Sequence, residues 1–179
     1  MVKPPNQTLN SQELPVDISS IEKLTDADVK SYVYFFSKIV TNLSFYSDQE
    51  KQEEVSERDE HNISKKIRND GWLILVAKNR AGEIVGSVEG RILKTKSGNL
   101  IGNVVWVLTD DSKRSRRIGN RMSLEFETMV EKLGCKTFIL TIKDYNKNSI
   151  SMHKKRGYKI DRDRSPKIEG ANWYKKELT

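Results

Sequence analysis

A single cysteine, Cys135, stands among 179 residues. It cannot form an intramolecular disulfide, which excludes a disulfide-framed secreted scaffold. Two histidines, His61 and His153, and that one thiol fall in no ligand-like spacing, so no dedicated metal site is expected. Proline is scarce, and three of the four (Pro4, Pro5 and Pro15) lie within the first 20 residues. The longest apolar runs, residues 73–77 and 104–108, fall far short of the roughly 20 residues that span a bilayer. Residues 1–12 are polar and lack the apolar segment of a secretory signal. These absences predict a cytoplasmic protein with no membrane partner. The length fits one domain, large enough to bury a core without a staple.

Charge is present in quantity and unevenly placed. The net charge is +7, from 32 Lys plus Arg against 25 Asp plus Glu. From Lys113 onward there are 18 basic and 8 acidic residues, so the carboxy-terminal part is strongly basic while the rest is slightly acidic. An asymmetry of that size predicts that one part of the molecule meets an anion. The densest basic run is Lys113-Arg114-Ser115-Arg116-Arg117. The densest acidic run is 48–60, with Asp48, Glu50, Glu53, Glu54, Glu57, Asp59 and Glu60.

Residues 1–20 read as a flexible leader, and residues 21–179 as the folded domain. Thr25 with Asp28 three positions on opens a first helix. Its apolar stripe is Val29, Tyr32, Val33, Phe36, Ile39, Val40 and Leu43. Ile63 and Ile67 suggest a short second helix ending near Gly71. Residues 72–78 are continuously apolar up to Lys78, as in a strand buried on both faces. Ile84, Gly86, Val88, Gly90 and Ile92 alternate with Val85, Ser87, Glu89 and Arg91, the period of a half-buried strand with Glu89 on the polar face. Residues 100–109 complete a meander. Met122, Phe126, Met129, Val130 and Leu133 then form a helical stripe closed by Gly134. Residues 137–142 read as a strand, 148–156 as a helix, and 158–160 and 173–178 as closing strands. The order α, α, β, β, β, α, β, α, β, β is an α/β signature.

The segment 108–119 carries the first chemical signal. An apolar strand ends, an arginine-rich loop follows, and Gly119 opens an amphipathic helix. Unpaired N–H groups and the positive dipole end of a helix suit a phosphate, and Arg114, Arg116 and Arg117 add charge-assisted donors. No G-x-x-x-x-G-K-[ST] is present, and a lone glycine is no dinucleotide fingerprint.

Arg114-Ser115-Arg116-Arg117-Ile118-Gly119 resembles the (Q/R)-x-x-G-x-(G/A) acyl-coenzyme A loop of the GNAT N-acetyltransferase superfamily. The segment 146–158, from Asn146 through Ser149-Ile150 and His153 to Gly157-Tyr158, is similar to that family's N-x-x-A-I-x-L-Y-x-K-x-G-[FY] run. The resemblance covers about residues 21–178. It implies a single-domain GNAT-like α/β fold: a mixed, mostly antiparallel sheet of six or seven strands with a splayed parallel pair, flanked by about four helices. It implies acetyl-coenzyme A as cosubstrate, with its pantetheine arm between strands 104–109 and 137–142. Val107, Leu108 and Thr109 would bind that arm and Asn146 would touch it. Arg114, Arg116, Arg117, Ile118, Gly119 and Asn120 would hold the diphosphate.

Two positions depart from the family pattern. Arg117 stands where the first glycine is usual, a costly exchange if φ is positive there. His153 stands where a tyrosine protonates the leaving thiolate, a task that imidazolium suits near neutral pH. Glu89 and then Asp110 are the candidate bases. The resemblance places 48–60 beside the acceptor, which predicts a cationic small-molecule or peptide amine. Two alternatives remain open: an acyl-coenzyme A-binding domain without catalysis, and a basic nucleic-acid-binding module, disfavoured because aromatic and basic residues do not alternate. The oligomeric state is left open, a homodimer included.

Overall fold

The computed structural model describes residues 18–44, 46–69, 71–110, 117–164 and 166–178. Seven strands form one sheet in the order β1-β2-β3-β4-β5-β7-β6. They are β1 (Ile18–Lys23), β2 (Trp72–Asn79), β3 (Ile84–Lys94), β4 (Leu100–Thr109), β5 (Thr137–Lys143), β6 (Lys159–Ile160) and β7 (Ala171–Glu177). Among the described residues β4 and β5 are the one parallel pair; the other neighbours run antiparallel. Five helices accompany them: α1 (Val29–Thr41), α2 (Asp48–Ser56), α3 (Glu60–Ile67), α4 (Ile118–Lys132) and α5 (Lys147–Lys155). This is the mixed-sheet α/β architecture expected from the resemblance, with one helix more.

The extra helix is the acidic stretch. Ser47 caps α2 by accepting the Glu50 N–H, and the Glu50 carboxylate accepts the Ser47 N–H in return. Asp59 caps α3 by accepting the Asn62 N–H. Asp48, Glu50 and Glu60 fall in first turns, where carboxylates offset the positive end of the helix dipole. Four of the seven acids thus sit at helix starts, which accounts for much of the run without any ligand.

Two layers of apolar side chains cover the sheet. On one face α1 and α3 bury Tyr32, Phe36, Val40 and Ile63 against Ile74, Val76 and Leu108. On the other, α4 buries Ile118, Met122, Phe126 and Val130 against Leu75, Val88, Val104 and Phe138. The sheet is therefore sealed on both sides, and residues 84–90 of β3 are buried throughout. The alternation in β3 is real, but its polar face is not in water: α1 lies over it, and Glu89 is fully buried. Two further differences stand at the ends of elements. Residues 18–20, expected in the leader, belong to edge strand β1, whose only apolar residues are Ile18 and Ile21. Leu133, expected inward, is half-exposed at the end of α4.

Three glycines fix the seat of α4. A Cβ on Gly86 would lie 2.8 Å from Ile118, one on Gly90 2.3 Å from Phe126, and one on Gly102 3.0 Å from Val130. These bare positions let the helix sit against β3 and β4 and bring its N-terminus to the end of β4.

Candidate active site

The parallel ladder between β4 and β5 is short. It runs from the pair Ile101 and Thr137 to the pair Val104 and Leu140, and no pairing continues beyond. At that point β4 carries a bulge: Glu89 of β3 faces Trp106 while Gly90 faces Val104, so Val105 is the extra residue. A bulge bends its strand and raises the twist, and here it turns residues 105–109 away from β5. The sheet opens into a fork whose prongs are 105–109 and 141–143.

Among the described residues, one prong keeps unpaired backbone groups on its inner edge. Asp110 N–H donates to the Val85 carbonyl, and Leu108 is paired with Ser87. Because antiparallel bonding alternates, Val107 and Thr109 turn their N–H and C=O groups the other way, into the fork. Leu108, expected among the cofactor contacts, is corrected by the same argument: its backbone faces β3 and its side chain is buried beneath α1.

The first turn of α4 closes over this edge. Its N-cap, Arg117, has φ 58° and ψ 20°, the left-handed region, and it is the one non-glycine residue with positive φ among the described residues. The position thus keeps the glycine-type conformation with an arginine in it, at a strain of order 1 kcal/mol or more. The N–H groups of Ile118, Gly119 and Asn120 precede the first intrahelical bond, which runs from Arg121 N–H to the Arg117 carbonyl, and so have no intrahelical partner among the described residues. A Cβ on Gly119 would lie 3.6 Å from both Val107 and Thr109, so the free helix end and the free strand edge adjoin. Arg114 and Arg116 lie outside the described residues.

Asn146 stands at the far end of the other prong. Its N–H donates to the Lys143 carbonyl, and its side-chain oxygen accepts the Ser149 N–H as the N-cap of α5. His153, two turns on, is buried. Its Nδ1 lies 2.9 Å from the Ser149 carbonyl; a carbonyl only accepts, so Nδ1 carries the proton and Nε2 is the bare nitrogen. Nε2 is buried with no hydrogen-bond partner among the described residues. Burial lowers the pKa of the ring below the usual 6.5. The expectation of an imidazolium donor is corrected accordingly: at neutral pH this side chain is a neutral acceptor.

That pKa shift sets a pH dependence of stability. With a folded-state pKa below the unfolded one, the unfolded chain binds the extra proton, so stability rises as pH rises through the window ending near 6.5. Thermal midpoints measured from pH 5 to 7.5 are expected to fall on the acid side, and His153→Phe should flatten that slope. Parallel curves for the two proteins would disprove it.

The opposite face of the fork is aromatic and charged. Trp106 meets Phe36 edge-on at 5.6 Å and Tyr46 at 5.6 Å. Below them, the Arg58 guanidinium lies 4.6 Å over the Phe36 ring and donates to Glu89 at 3.0 Å and to Glu54 at 2.6 Å. Lys66 donates to the other Glu89 oxygen at 2.7 Å, and the Tyr32 hydroxyl to the first at 3.3 Å. The Glu89 side chain is 0% exposed. A base must come within hydrogen-bond reach of the proton that it takes, and no face of this carboxylate is open to an incoming amine. Glu89 is better described as the buried anchor of the α2–α3 corner. Asp110 stays at the surface, a quarter exposed and 3.5 Å from Lys38. Arg58 was not singled out from the sequence; it lies in the turn between α2 and α3, and nothing in the spacing of the acidic stretch marks which of its cations turns inward.

The sequence model of the acetyltransferase (GNAT) family matches residues 38–158. No curated protein matches the chain. Among solved structures, PaiA N-acetyltransferase of Thermoplasma acidophilum in complex with coenzyme A superposes with a TM-score of 0.75 at 17% identity, over 89% of this chain and 98% of that one. A GNAT-family acetyltransferase of Staphylococcus aureus Mu50 gives 0.69 at 16% identity, over 89% and 99%. A ribosomal-protein-alanine N-acetyltransferase of Brucella melitensis gives 0.67 at 18% identity, over 89% and 99%. Likenesses at these identities establish the fold.

Proposed function

Because this chain belongs to the GNAT acetyltransferase family, we propose that it transfers an acetyl group from acetyl-coenzyme A to a primary, cationic amine by direct attack in a ternary complex. The observation that carries this is the fork itself. Beyond Val104 and Leu140 two parallel strands part, and the edge of β4 that β5 leaves unpaired adjoins the first turn of α4, whose leading N–H groups have no intrahelical partner among the described residues. An extended amide-bearing arm fits the first element and an anion the second. These parts suit coenzyme A.

In this reading the chain's own groups divide the work. Val107 and Thr109 bind the arm through their backbones, Ile118, Gly119 and Asn120 receive the diphosphate, and Arg117, Arg114 and Arg116 add positive charge. The bulged backbone of β4 supplies an N–H for the carbonyl oxygen as it gains charge, a stabilisation that often dominates acyl transfer. The amine attacks the thioester carbonyl, the C–S bond breaks, and the proton lost by the nitrogen passes to water or to Asp110. The neutral His153 holds no proton on Nε2 to return to the thiolate, which favours protonation of the departing thiolate by solvent. The same feature favours a second reading, a domain that binds acyl-coenzyme A without turnover.

Two measurements decide between them. Saturating acetyl-coenzyme A, at about 100 times its Kd, should stabilise the fold by about 2.7 kcal/mol, a rise in Tm of roughly 5–10 °C for a chain of this size. An amine panel should then release free thiol. A shift without thiol release would leave the binding domain, and no shift would remove both readings.

A further inference from the structure

The two faces of β7 carry cations in opposite circumstances. Tyr174 lies in the core beneath α4, and Lys176 donates to Glu127 of that helix at 2.8 Å. Successive side chains alternate across a strand, so Trp173 and Lys175 point to the other face. Lys159 of β6 stands directly opposite Lys175 in the ladder and shares that face. The helices on this side, α1 and α3, pack on β2, β3 and β4, and the β7–β6 end of the sheet extends past them.

Beneath α4 the positive charge is neutralised, because the buried Glu127 takes both Arg156 and Lys176. On the open face Lys159 meets Lys175, and like charges directly opposite destabilise a strand pair. Glu177, 3.0 Å from Lys175, is 63% exposed, and an ion pair so open to water contributes little. Lys159 and Arg162 form no ion pair among the described residues. A fixed aromatic surface stands in this field. The Trp173 Nε1–H donates to the Pro166 carbonyl at 2.8 Å, and the Arg164 guanidinium lies 5.7 Å from the ring centre. The ring also walls an open hollow with Arg162 and Asn172.

We propose that the open β7–β6 face is a docking surface for single-stranded nucleic acid, on which a base stacks against Trp173 while Lys175, Lys159 and Arg162 meet phosphates. Aromatic and basic residues do not alternate along the chain, but the pleat and the pairing of β6 with β7 sort them onto one face. Lys175 lies about 7 Å along the strand from Trp173, and Lys159 about 5 Å across the ladder. A flat ring among cations is the arrangement that grips a single strand without reading its sequence. A second copy of this face would bring like charge against like. A bilayer would need the ring free to insert, whereas its N–H is already bonded to the protein. The surface is separate from the β4 prong of the fork, because β5 lies between them.

The test is fluorescence anisotropy of a labelled oligothymidine of twelve nucleotides, titrated with the full chain at several salt concentrations. Three neutralised phosphates should give a log–log salt slope of about −2, which is a rise in Kd of about fifteenfold from about 50 to about 200 mM salt. The double variant Lys159→Gln with Lys175→Gln should bring the slope to about −0.7, with a thermal midpoint unchanged or higher because the like-charge pair is gone. Trp173→Leu should raise Kd roughly tenfold with the slope unchanged, and Trp173→Phe, which keeps a stacking ring, should recover most of that affinity. Lys94→Gln, exposed at the far end of β3, should alter neither quantity. An unaltered slope in the double variant, or an unaltered Kd in Trp173→Leu, overturns the proposal. So does displacement of the strand by oligoglutamate, or by anionic phospholipid vesicles, at equal charge concentration, since the partner would then be an acidic protein or a membrane.

Discussion

Glu89→Met is expected to cost about 3–5 kcal/mol of stability, because removing one partner of a buried ion pair leaves the other charge buried and uncompensated. Arg58 is only 4% exposed, and its Nε has Glu89 as acceptor. Glu54 and a partly exposed Lys66 soften the loss, which places the effect at the lower end of that range. For a chain of this length the fall in Tm should approach 10 °C. Replacing both members, as Arg58→Met with Glu89→Met, should recover most of it, since apolar groups of similar volume substitute for buried pairs at little cost. Urea unfolding of the three proteins measures this directly. A Glu89→Gln protein of unchanged stability that has lost thiol release would instead return Glu89 to the role of base.

Gly90→Ala is the second large effect. Its new methyl would lie 2.3 Å and 2.5 Å from two ring atoms of Phe126 and 2.7 Å from the Asn103 carbonyl oxygen. Phe126 is fully buried, so the ring has no solvent to swing into, and the third neighbour is backbone. Either α4 lifts from the sheet or β3 and β4 separate beside the bulge. Overpacking of this kind costs about 1–3 kcal/mol or more. The displacement also falls on the element that presents Ile118, Gly119 and Asn120. Gly90→Ala should therefore weaken coenzyme A binding well beyond what its lower Tm implies, and adding Phe126→Leu should restore part of both. A variant as stable as the parent would show that α4 is not seated on these glycines.

Much of this was written locally. The stripe at Val29, Tyr32, Phe36 and Val40 makes a helix wherever it is placed, and the β-branched run after Thr137 makes a strand, because period and propensity act over neighbouring residues. The glycine positions, the basic loop and the segment ending in Gly157-Tyr158 likewise announced the fold and the family. The capping box at Ser47 and Glu50 turns the acidic stretch into a helix start, an element that was not expected from the sequence.

What the chain alone could not declare was where its polar groups would end. Glu89 looks like an exposed carboxylate on an alternating strand until α1 covers that face. Leu108 looks like a cofactor contact until the pairing register shows which edge of β4 it bonds. His153 looks like an acid until burial and a helix carbonyl set its proton. Lys143 and Glu50 are 93 residues apart in sequence and 3.4 Å apart in space. Periodicity and propensity are short-range, and so the sequence decided the elements and their order. Burial, register and charge partners arise only when distant segments pack, and so the tertiary structure alone decided which side chains are available for chemistry.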